Sequence, residues 1–208
     1  MEHASAAGPA YPRLLGGRLC LDFANSVDPR LATPAWDPLG SYADLVGWAR
    51  YAGAIGEDDA ARLLAAAAQR PAAAATVFAE AIALREAIYR LFAAVATGEE
   101  PVGDDLDHLA AAYRSALAAA RLEPGADGYG WAWPEASDNL AAPLWPVVRS
   151  AVETLTEGDP RRIKRCLGTG ECGWLFHDGS KNASRRWCSM EGCGSQVKSR
   201  RHYARTRG

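Results

Sequence analysis

Apolar residues recur at helical spacing through most of the first 160 residues. The longest run follows Pro71 and continues to Gly98, and its apolar positions fall three or four residues apart. A proline at the first turn and a glycine just beyond the last turn are typical helix boundaries. Four shorter runs show the same spacing, from about Ser41, Glu57, Asp104 and Leu140. The pattern therefore predicts five helices.

Two short segments alternate with a period of two residues instead, which is typical of strands. The alternating apolar positions are Leu19, Leu21 and Phe23 in the first segment and Tyr129, Trp131 and Trp133 in the second. We expect the two segments to pair in one small sheet, which makes this part of the chain a helix-rich α+β domain. Cys20, inside the first segment, is expected to be a small buried hydrophobic residue.

Composition changes abruptly at Gly158-Asp159-Pro160, so we place a domain boundary there. The prediction is a flexible leader at residues 1–12, an α+β domain at 13–158 and a small module at 161–208. No apolar stretch reaches the roughly 18–20 residues that cross a bilayer, and the first residues lack the features of a signal peptide. We therefore expect a cytoplasmic protein without a membrane partner.

Charge divides at the same boundary. Residues 161–208 hold twelve Lys or Arg and three Asp or Glu, a net charge of +9, whereas the first 160 residues hold eleven and twenty-two, a net charge of −11. Such an asymmetry points to a polyanion-binding end. The alternative is a solubilising tail that packs on the acidic domain.

Four of the five cysteines fall in the basic module. Cys166 and Cys172 are separated by five residues, Cys188 and Cys193 by four, and the two pairs by fifteen. Two short cysteine pairs can place four thiolates at the corners of a tetrahedron, as zinc requires. Glycines in both pairs permit the tight turns that hold two ligands over one metal ion. The spacing therefore predicts a structural Zn²⁺ site in a small treble-clef-like finger.

Three alternatives to this site remain open. The cysteines could form two disulfides, although a reducing compartment disfavours them, or they could be buried reduced thiols. His177 could replace one cysteine as a ligand. With four thiolates the coordination shell is closed, so the metal would be structural and would supply much of the folding free energy of a module with few apolar residues.

A helix is predicted from Ser189 toward Tyr203. One face of this helix is basic, because its positions i, i+3, i+4 and i+7 are Lys198, Arg201, His202 and Arg205. The candidate nucleic-acid-binding residues are Arg185 and Arg186 beside the second cysteine pair and Lys198, Arg200, Arg201 and Arg205 on the helix. Phosphate contacts of this kind give affinity without sequence preference, and they do not distinguish DNA from RNA.

The cysteine module resembles a known family. Residues 172–176 (Cys-Gly-Trp-Leu-Phe), residues 184–190 (Ser-Arg-Arg-Trp-Cys-Ser-Met) and Cys193-Gly194 are similar to the CGNR zinc finger. Residues 17–26 (Gly-Arg-Leu-Cys-Leu-Asp-Phe-Ala-Asn-Ser) resemble the opening of the ABATE domain, and residues 84–92 resemble its central helix. The resemblance covers about residues 13–205. It implies a bacterial, stress-linked transcriptional regulator that binds DNA.

Two departures separate this chain from the family pattern. The family's Cys-Gly-Asn-Arg reads Cys193-Gly194-Ser195-Gln196 here, and the first cysteine loop is one residue longer. The four ligands are kept, so zinc binding is expected. The absent arginine predicts a weaker or altered contact with nucleic acid.

The leading functional hypothesis is therefore a non-enzymatic, zinc-containing DNA-binding regulator whose first domain senses a small-molecule effector or forms a homodimer. Asn25 and Arg85 are candidates for an effector pocket, with a turn role and a salt bridge as their structural alternatives. Two other functional classes stay open: an adaptor that presents the finger to an acidic protein partner, and an enzyme with its site in residues 13–157.

Overall fold

The computed structural model describes residues 10–125, 128–133, 139–168 and 170–206, with the side chain of Arg201 excepted. Its described residues contain the five helices expected from the apolar spacing, the basic helix expected after Ser189, and one further helix at Leu19–Ala24. The helices are α1 (Leu19–Ala24), α2 (Tyr42–Tyr51), α3 (Glu57–Gln69), α4 (Pro71–Thr97), α5 (Gly103–Ala118), α6 (Trp145–Thr156) and α7 (Ser195–Thr206). A 3-10 turn at Ala142–Leu144 leads into α6.

The boundaries of the predicted helices follow their local chemistry. Ser41 precedes α2, and its hydroxyl accepts a hydrogen bond from the amide of Asp44, which satisfies one of the free N–H groups of the first turn. Pro71 begins α4, where its missing N–H has no consequence. Gly98 ends α4 with φ of 75°, a left-handed conformation that favours glycine.

The strand predicted at Leu19–Phe23 is wrong, because this segment is helix α1. Four of its six residues are buried, and it packs between α4 and α6 as well as against the finger. A short segment buried on several sides has no polar face to reveal its period, so strand and helix cannot be separated by pattern alone. Two amides, those of Leu21 and Asp22, bond to the carbonyl of Arg18 and fix the helical start.

The predicted sheet between the Leu19–Phe23 segment and the strand near Trp131 is also wrong, because the first segment is a helix. The strand near Trp131 is β2 (Gly128–Ala132), and it pairs in antiparallel fashion with β1 (Arg121–Gly125), in a register that sets Leu122 opposite Trp131. This hairpin lies on the surface of the helical body. Trp133, just after β2, anchors it by donating its indole N–H to the carbonyl of Ala116 at 2.8 Å.

Helix α1 lies at the centre of the body core. Its Phe23 ring contacts the Trp48 ring of α2 at a centroid distance of 4.9 Å, and Leu21 is fully buried. Residues 1–9 of the predicted leader lie outside the described part of the chain. Tyr11, also assigned to that leader, packs on Tyr51 and donates a hydrogen bond to the carbonyl of Asp44.

The cysteine module begins with a second antiparallel hairpin, β3 (Ile163–Arg165) and β4 (Leu175–His177). Ile163 and Leu175 from this hairpin belong to the same core cluster as the helices of the body. Hairpin and body therefore share buried apolar surface across the predicted boundary at residues 158–160. Among the described residues, no helix is long and apolar enough to cross a membrane.

The central position of α1 predicts a large effect of truncating Leu21. Leu21→Ala should lower the free energy of unfolding by about 2–5 kcal/mol, because it removes buried methyl groups and leaves a cavity. Leu64→Ala is the matched control, since Leu64 is 42% exposed on α3, and it should change stability by less than about 1 kcal/mol. Urea denaturation measures both. Equal effects of the two variants would contradict the central role of α1.

Candidate metal centre and basic helix

The four cysteines of the module converge on one point. Cys166 follows β3 and Cys172 comes shortly before β4, so the hairpin brings the first pair together. Cys188 and Cys193 lie at the π-helical turn Met190–Gly194 that leads into α7. The four Sγ atoms all lie within 4.8 Å of one another. A hairpin knuckle followed by a second cysteine pair at the start of a helix is a treble-clef-like arrangement.

The distances between the sulfurs fit a zinc ion. Cys172 and Cys188, and likewise Cys188 and Cys193, have Sγ atoms 3.8 Å apart. Zinc–sulfur bonds of about 2.3 Å in a tetrahedron place the sulfurs about 3.8 Å from each other, whereas a disulfide needs about 2.05 Å. All four cysteines are free. The donor set therefore fits a structural Zn²⁺ with four thiolate ligands, and the disulfide alternative does not fit.

Hydrogen bonds prepare one sulfur for the anionic form. Hydrogen bonding with the neighbouring Cys172 and Cys188 thiols lowers the pKa of Cys166. The backbone amide of Cys188, which donates to Sγ of Cys166 at 3.3 Å, acts in the same direction. Sharing their protons with Cys166 raises the pKa of Cys172 and of Cys188. A divalent cation would replace the shared protons and hold four thiolates instead.

His177 is not part of the described cysteine cluster. It is half-buried on β4, and its amide donates to the carbonyl of Gly16 at 2.7 Å. Burial lowers the pKa of its imidazole. The alternative in which His177 replaces a cysteine ligand is therefore not supported by the geometry.

A small apolar cluster surrounds the sulfurs. Trp174 and Phe176 are buried against Cys166, Cys172 and Cys188, with Trp187 at the edge. Met190 lies outside this cluster, because the residue is 56% exposed. The module therefore buries few apolar side chains of its own around the metal site.

Asp178 organises the loop between β4 and the second cysteine pair. Its carboxylate is fully buried and accepts hydrogen bonds from Lys164 Nζ (2.7 Å), Ser180 Oγ (2.6 Å) and the Arg185 amide (2.8 Å). Burial alone would raise the pKa of Asp178, but these bonds outweigh it and lower the pKa. The carboxylate therefore adds stability above the pKa of an unfolded Asp, about 3.9, and the contribution is lost as the pH falls below that value.

Two protein-family models match successive parts of the chain. The ABATE family model, described as "Putative stress-induced transcription regulator", matches residues 17–158. The chain belongs to the ABATE family. The CGNR zinc finger model matches residues 162–206, which contain all four cysteines. No curated protein matches the chain.

Several basic residues of this ABATE chain hold the finger together. Arg185, predicted to bind nucleic acid, lies with its guanidinium 4.6 Å from the centre of the Phe176 ring and donates to the carbonyl of Cys188 at 2.8 Å. Arg162 donates to the carbonyls of Asp178 and Ser180. Arg186 is exposed and lies over the Trp187 ring at 5.8 Å. Arg185 and Arg162 thus have structural partners, and Arg185 is exposed to solvent as Arg186 is.

The basic residues of α7 differ from these. Lys198, Arg200 and Arg205 are exposed, and within the part of the chain that is described their side chains form no ion pair or hydrogen bond. The backbone of Arg201 lies in the same helix. Ser195 begins α7 and donates its hydroxyl to the carbonyl of Met190, and Gln196, which stands where the family has arginine, is exposed.

The two residues considered for an effector pocket are bonded inside the protein. The Asn25 amide donates to the carbonyl of Leu175 at 2.7 Å and accepts from the amide of Leu175 at 2.9 Å. Arg85 binds both carboxylate oxygens of Asp37, at 2.7 and 3.0 Å, and also Glu86. Both residues are at least 97% buried. Their polar atoms serve the fold, and the geometry offers no support for an effector site at either residue.

The sequence could not single out Lys164 as a structural residue. It looks like one more member of a basic segment, yet its ammonium group joins Asp178 to the carbonyls of Ala183 and Arg185. Residue spacing cannot predict these hydrogen bonds of Lys164, because they depend on how the loop that contains Asp178, Ala183 and Arg185 folds back over β3.

The geometry predicts zinc retention by this ABATE chain. The wild-type protein should contain one zinc per chain, and Cys188→Ser should lose most of it, because a closed tetrahedral shell needs all four thiolates. Cys20→Ser is the control, since Cys20 is buried in the body and bonds Thr154 at 3.8 Å. Elemental analysis of the purified proteins gives the ratio. Full zinc content in Cys188→Ser would exclude the four-thiolate site.

Asp178→Asn should destabilise the zinc-loaded protein by about 3 kcal/mol at pH 7, because the amide cannot replace a charged acceptor of buried hydrogen bonds. Asp159→Asn provides the matched control, since Asp159 pairs with an Arg161 side chain that is 88% exposed, and such surface pairs contribute little. Denaturant titration with excess zinc measures the difference. Equal stability of the two variants would show that Asp178 does not organise the finger.

Proposed function

We propose that this protein is a DNA-binding transcriptional regulator in which the zinc centre fixes α7 as the contact helix. One observation carries the proposal. The twelve residues of α7 include four Lys or Arg and no Asp or Glu, and α7 begins directly at the second cysteine pair. The family description as a regulator of transcription supports the same assignment.

The dimensions of α7 suit a duplex. A helix of twelve residues is about 18 Å long, and the major groove of B-DNA, about 12 Å wide, admits one helix. Lys198 and Arg205 lie seven residues apart and therefore on one face, where both reach phosphates of the same groove. Phosphate contacts of this kind provide affinity without a preference for particular bases.

The acidic charge of the body helps to orient the protein on DNA. The first 160 residues carry a net charge of −11 and the remainder +9, so the body is repelled from a polyanion while the finger is attracted. This distribution favours an approach with α7 leading. Release of condensed counterions from a polyanion of high linear charge density adds to the affinity of the basic finger, which favours nucleic acid over an acidic protein partner.

We assign no catalytic role to the zinc, because four thiolates leave no open coordination position for a substrate or water. We further propose that the helical body supplies regulation, by binding an effector or by forming a homodimer. The family description supports a regulatory protein, and Asn25 and Arg85 do not contribute to that argument. A cytoplasmic location in a bacterial cell follows from the proposed function.

The proposal predicts a salt-dependent affinity for duplex DNA that α7 controls. The logarithm of the association constant should fall linearly with the logarithm of salt concentration, by about 0.9 for each phosphate contacted. The double variant Lys198→Gln/Arg205→Gln should reduce the slope by about 1.8 if both residues contact phosphates. Fluorescence anisotropy with a labelled random-sequence duplex at several salt concentrations measures the slope.

Arg50→Gln/Arg62→Gln is the control, because it removes the same charge from two exposed ion pairs of the body. It should leave the slope unchanged. A wild-type protein that does not bind duplex DNA even at low salt would refute the proposal, and an unchanged slope in the α7 variant would remove this helix from the interface.

A further inference from the structure

Three consecutive carbonyl groups beside a zinc ligand are bonded to the helical body. The carbonyl of Glu171 accepts from the amide of Leu31 at 2.9 Å, and that of Cys172 accepts from the amide of Arg30 at 2.8 Å. The carbonyl of Gly173 accepts from the hydroxyl of Tyr89, in the middle of α4, at 3.0 Å. The body therefore holds the backbone at Cys172 and at the residues directly before and after it.

Packing confirms how closely the two parts meet. Gly173 has φ of +66°, and a Cβ atom at this position would lie 2.4 Å from Cγ of Leu31 and 3.1 Å from Oη of Tyr89. A side chain at residue 173 would displace the body from the knuckle. The contact thus requires glycine for its conformation and for space.

The contacts continue along the chain into β4. The indole N–H of Trp174 donates to the carbonyl of Val27 at 3.0 Å. The amide side chain of Asn25 pairs with both backbone groups of Leu175, in the manner of a neighbouring strand. Every residue from 171 to 175 is therefore bonded to the body.

Tyr89 and Arg30 are themselves fixed in place. The Arg30 guanidinium lies 4.1 Å from the centre of the Tyr89 ring and binds the carboxylate of Glu86 through Nη1 at 2.9 Å. The side chain of Arg30 is 95% buried, and burial lowers its pKa. Within the described residues its Nε and Nη2 atoms have no hydrogen-bond partner. Stacking and a single ion pair thus position the residue whose amide bonds Cys172.

We propose that Tyr89 and the Arg30–Leu31 segment are positioning residues of the zinc site, so that the affinity for zinc is set by the body as well as by the finger. They hold the backbone around Cys172 in the conformation that the tetrahedron requires. Groups that orient ligands without touching the metal commonly change metal affinity by 10- to 100-fold when removed. Because such coupling is reciprocal, zinc also stabilises the body segment that contacts the knuckle.

Tyr89→Phe tests the proposal with a change of one hydroxyl group. Competition between the full-length protein and a chromophoric chelator gives the affinity for zinc alone, without nucleic acid. Tyr42→Phe is the matched control, because the Tyr42 hydroxyl also donates to a backbone carbonyl, that of Leu140 at 2.8 Å, within the body. Tyr89→Phe should weaken zinc binding by about tenfold, whereas Tyr42→Phe should leave it unchanged while lowering thermal stability.

Hydrogen exchange provides a second measurement on the wild-type protein. Removing zinc with the chelator should accelerate exchange of the amides of Arg30 and Leu31, and leave α3 protected. Equal zinc affinities of the two tyrosine variants, or exchange at residues 30 and 31 that does not respond to zinc, would overturn the proposal. Neither readout depends on whether the protein binds DNA, so the two proposals fail separately.

Discussion

The pairing of β4 with the helical body is the interaction on which the rest of the structure depends. Asn25, the residue after α1, offers its side-chain amide to both backbone groups of Leu175. That bond fixes β4, β4 fixes β3, and the hairpin brings Cys166 to Cys172. A finger with few buried apolar side chains of its own obtains stability in this way from the core of its neighbour. The metal site is thus built by two parts of the chain that the sequence presents as separate.

This dependence explains how the basic charge of the finger is divided. Residues near the hairpin, such as Lys164, Arg162 and Arg185, close the loop onto β3 and cover Phe176. Their side chains donate to backbone carbonyls, and Lys164 also pairs with the buried Asp178, so these residues satisfy buried polar groups of the finger. The basic residues of α7 stand beyond these contacts with exposed side chains. The net charge of +9 is thus carried partly by residues that bond within the finger and partly by the exposed residues of α7.

The sequence predicted those features whose signals are local. Long periodic runs predicted helices such as α4, and the spacing of the cysteines predicted the cluster. It failed at α1, because a six-residue segment that is buried on several sides shows no periodic polar face. It also missed what joins residues far apart in the chain. Asn25 and Leu175 are separated by 150 positions, and neither residue type indicates its partner. From the sequence alone, the polar Asn25 therefore suggests a ligand pocket.

The replacement of the family's Asn-Arg by Ser195-Gln196 changes where the positive charge of α7 lies. Gln196 lies in the first turn of α7, close to the metal, and is exposed where the family carries an arginine. Because side chains in a helix lean toward its N-terminus, an arginine there would extend the basic surface toward the cysteine cluster. Its absence shifts the positive charge of α7 to the turns that contain Lys198, Arg200 and Arg205. The cysteine cluster then sets where the helix starts, and its exposed basic residues lie one to three turns later.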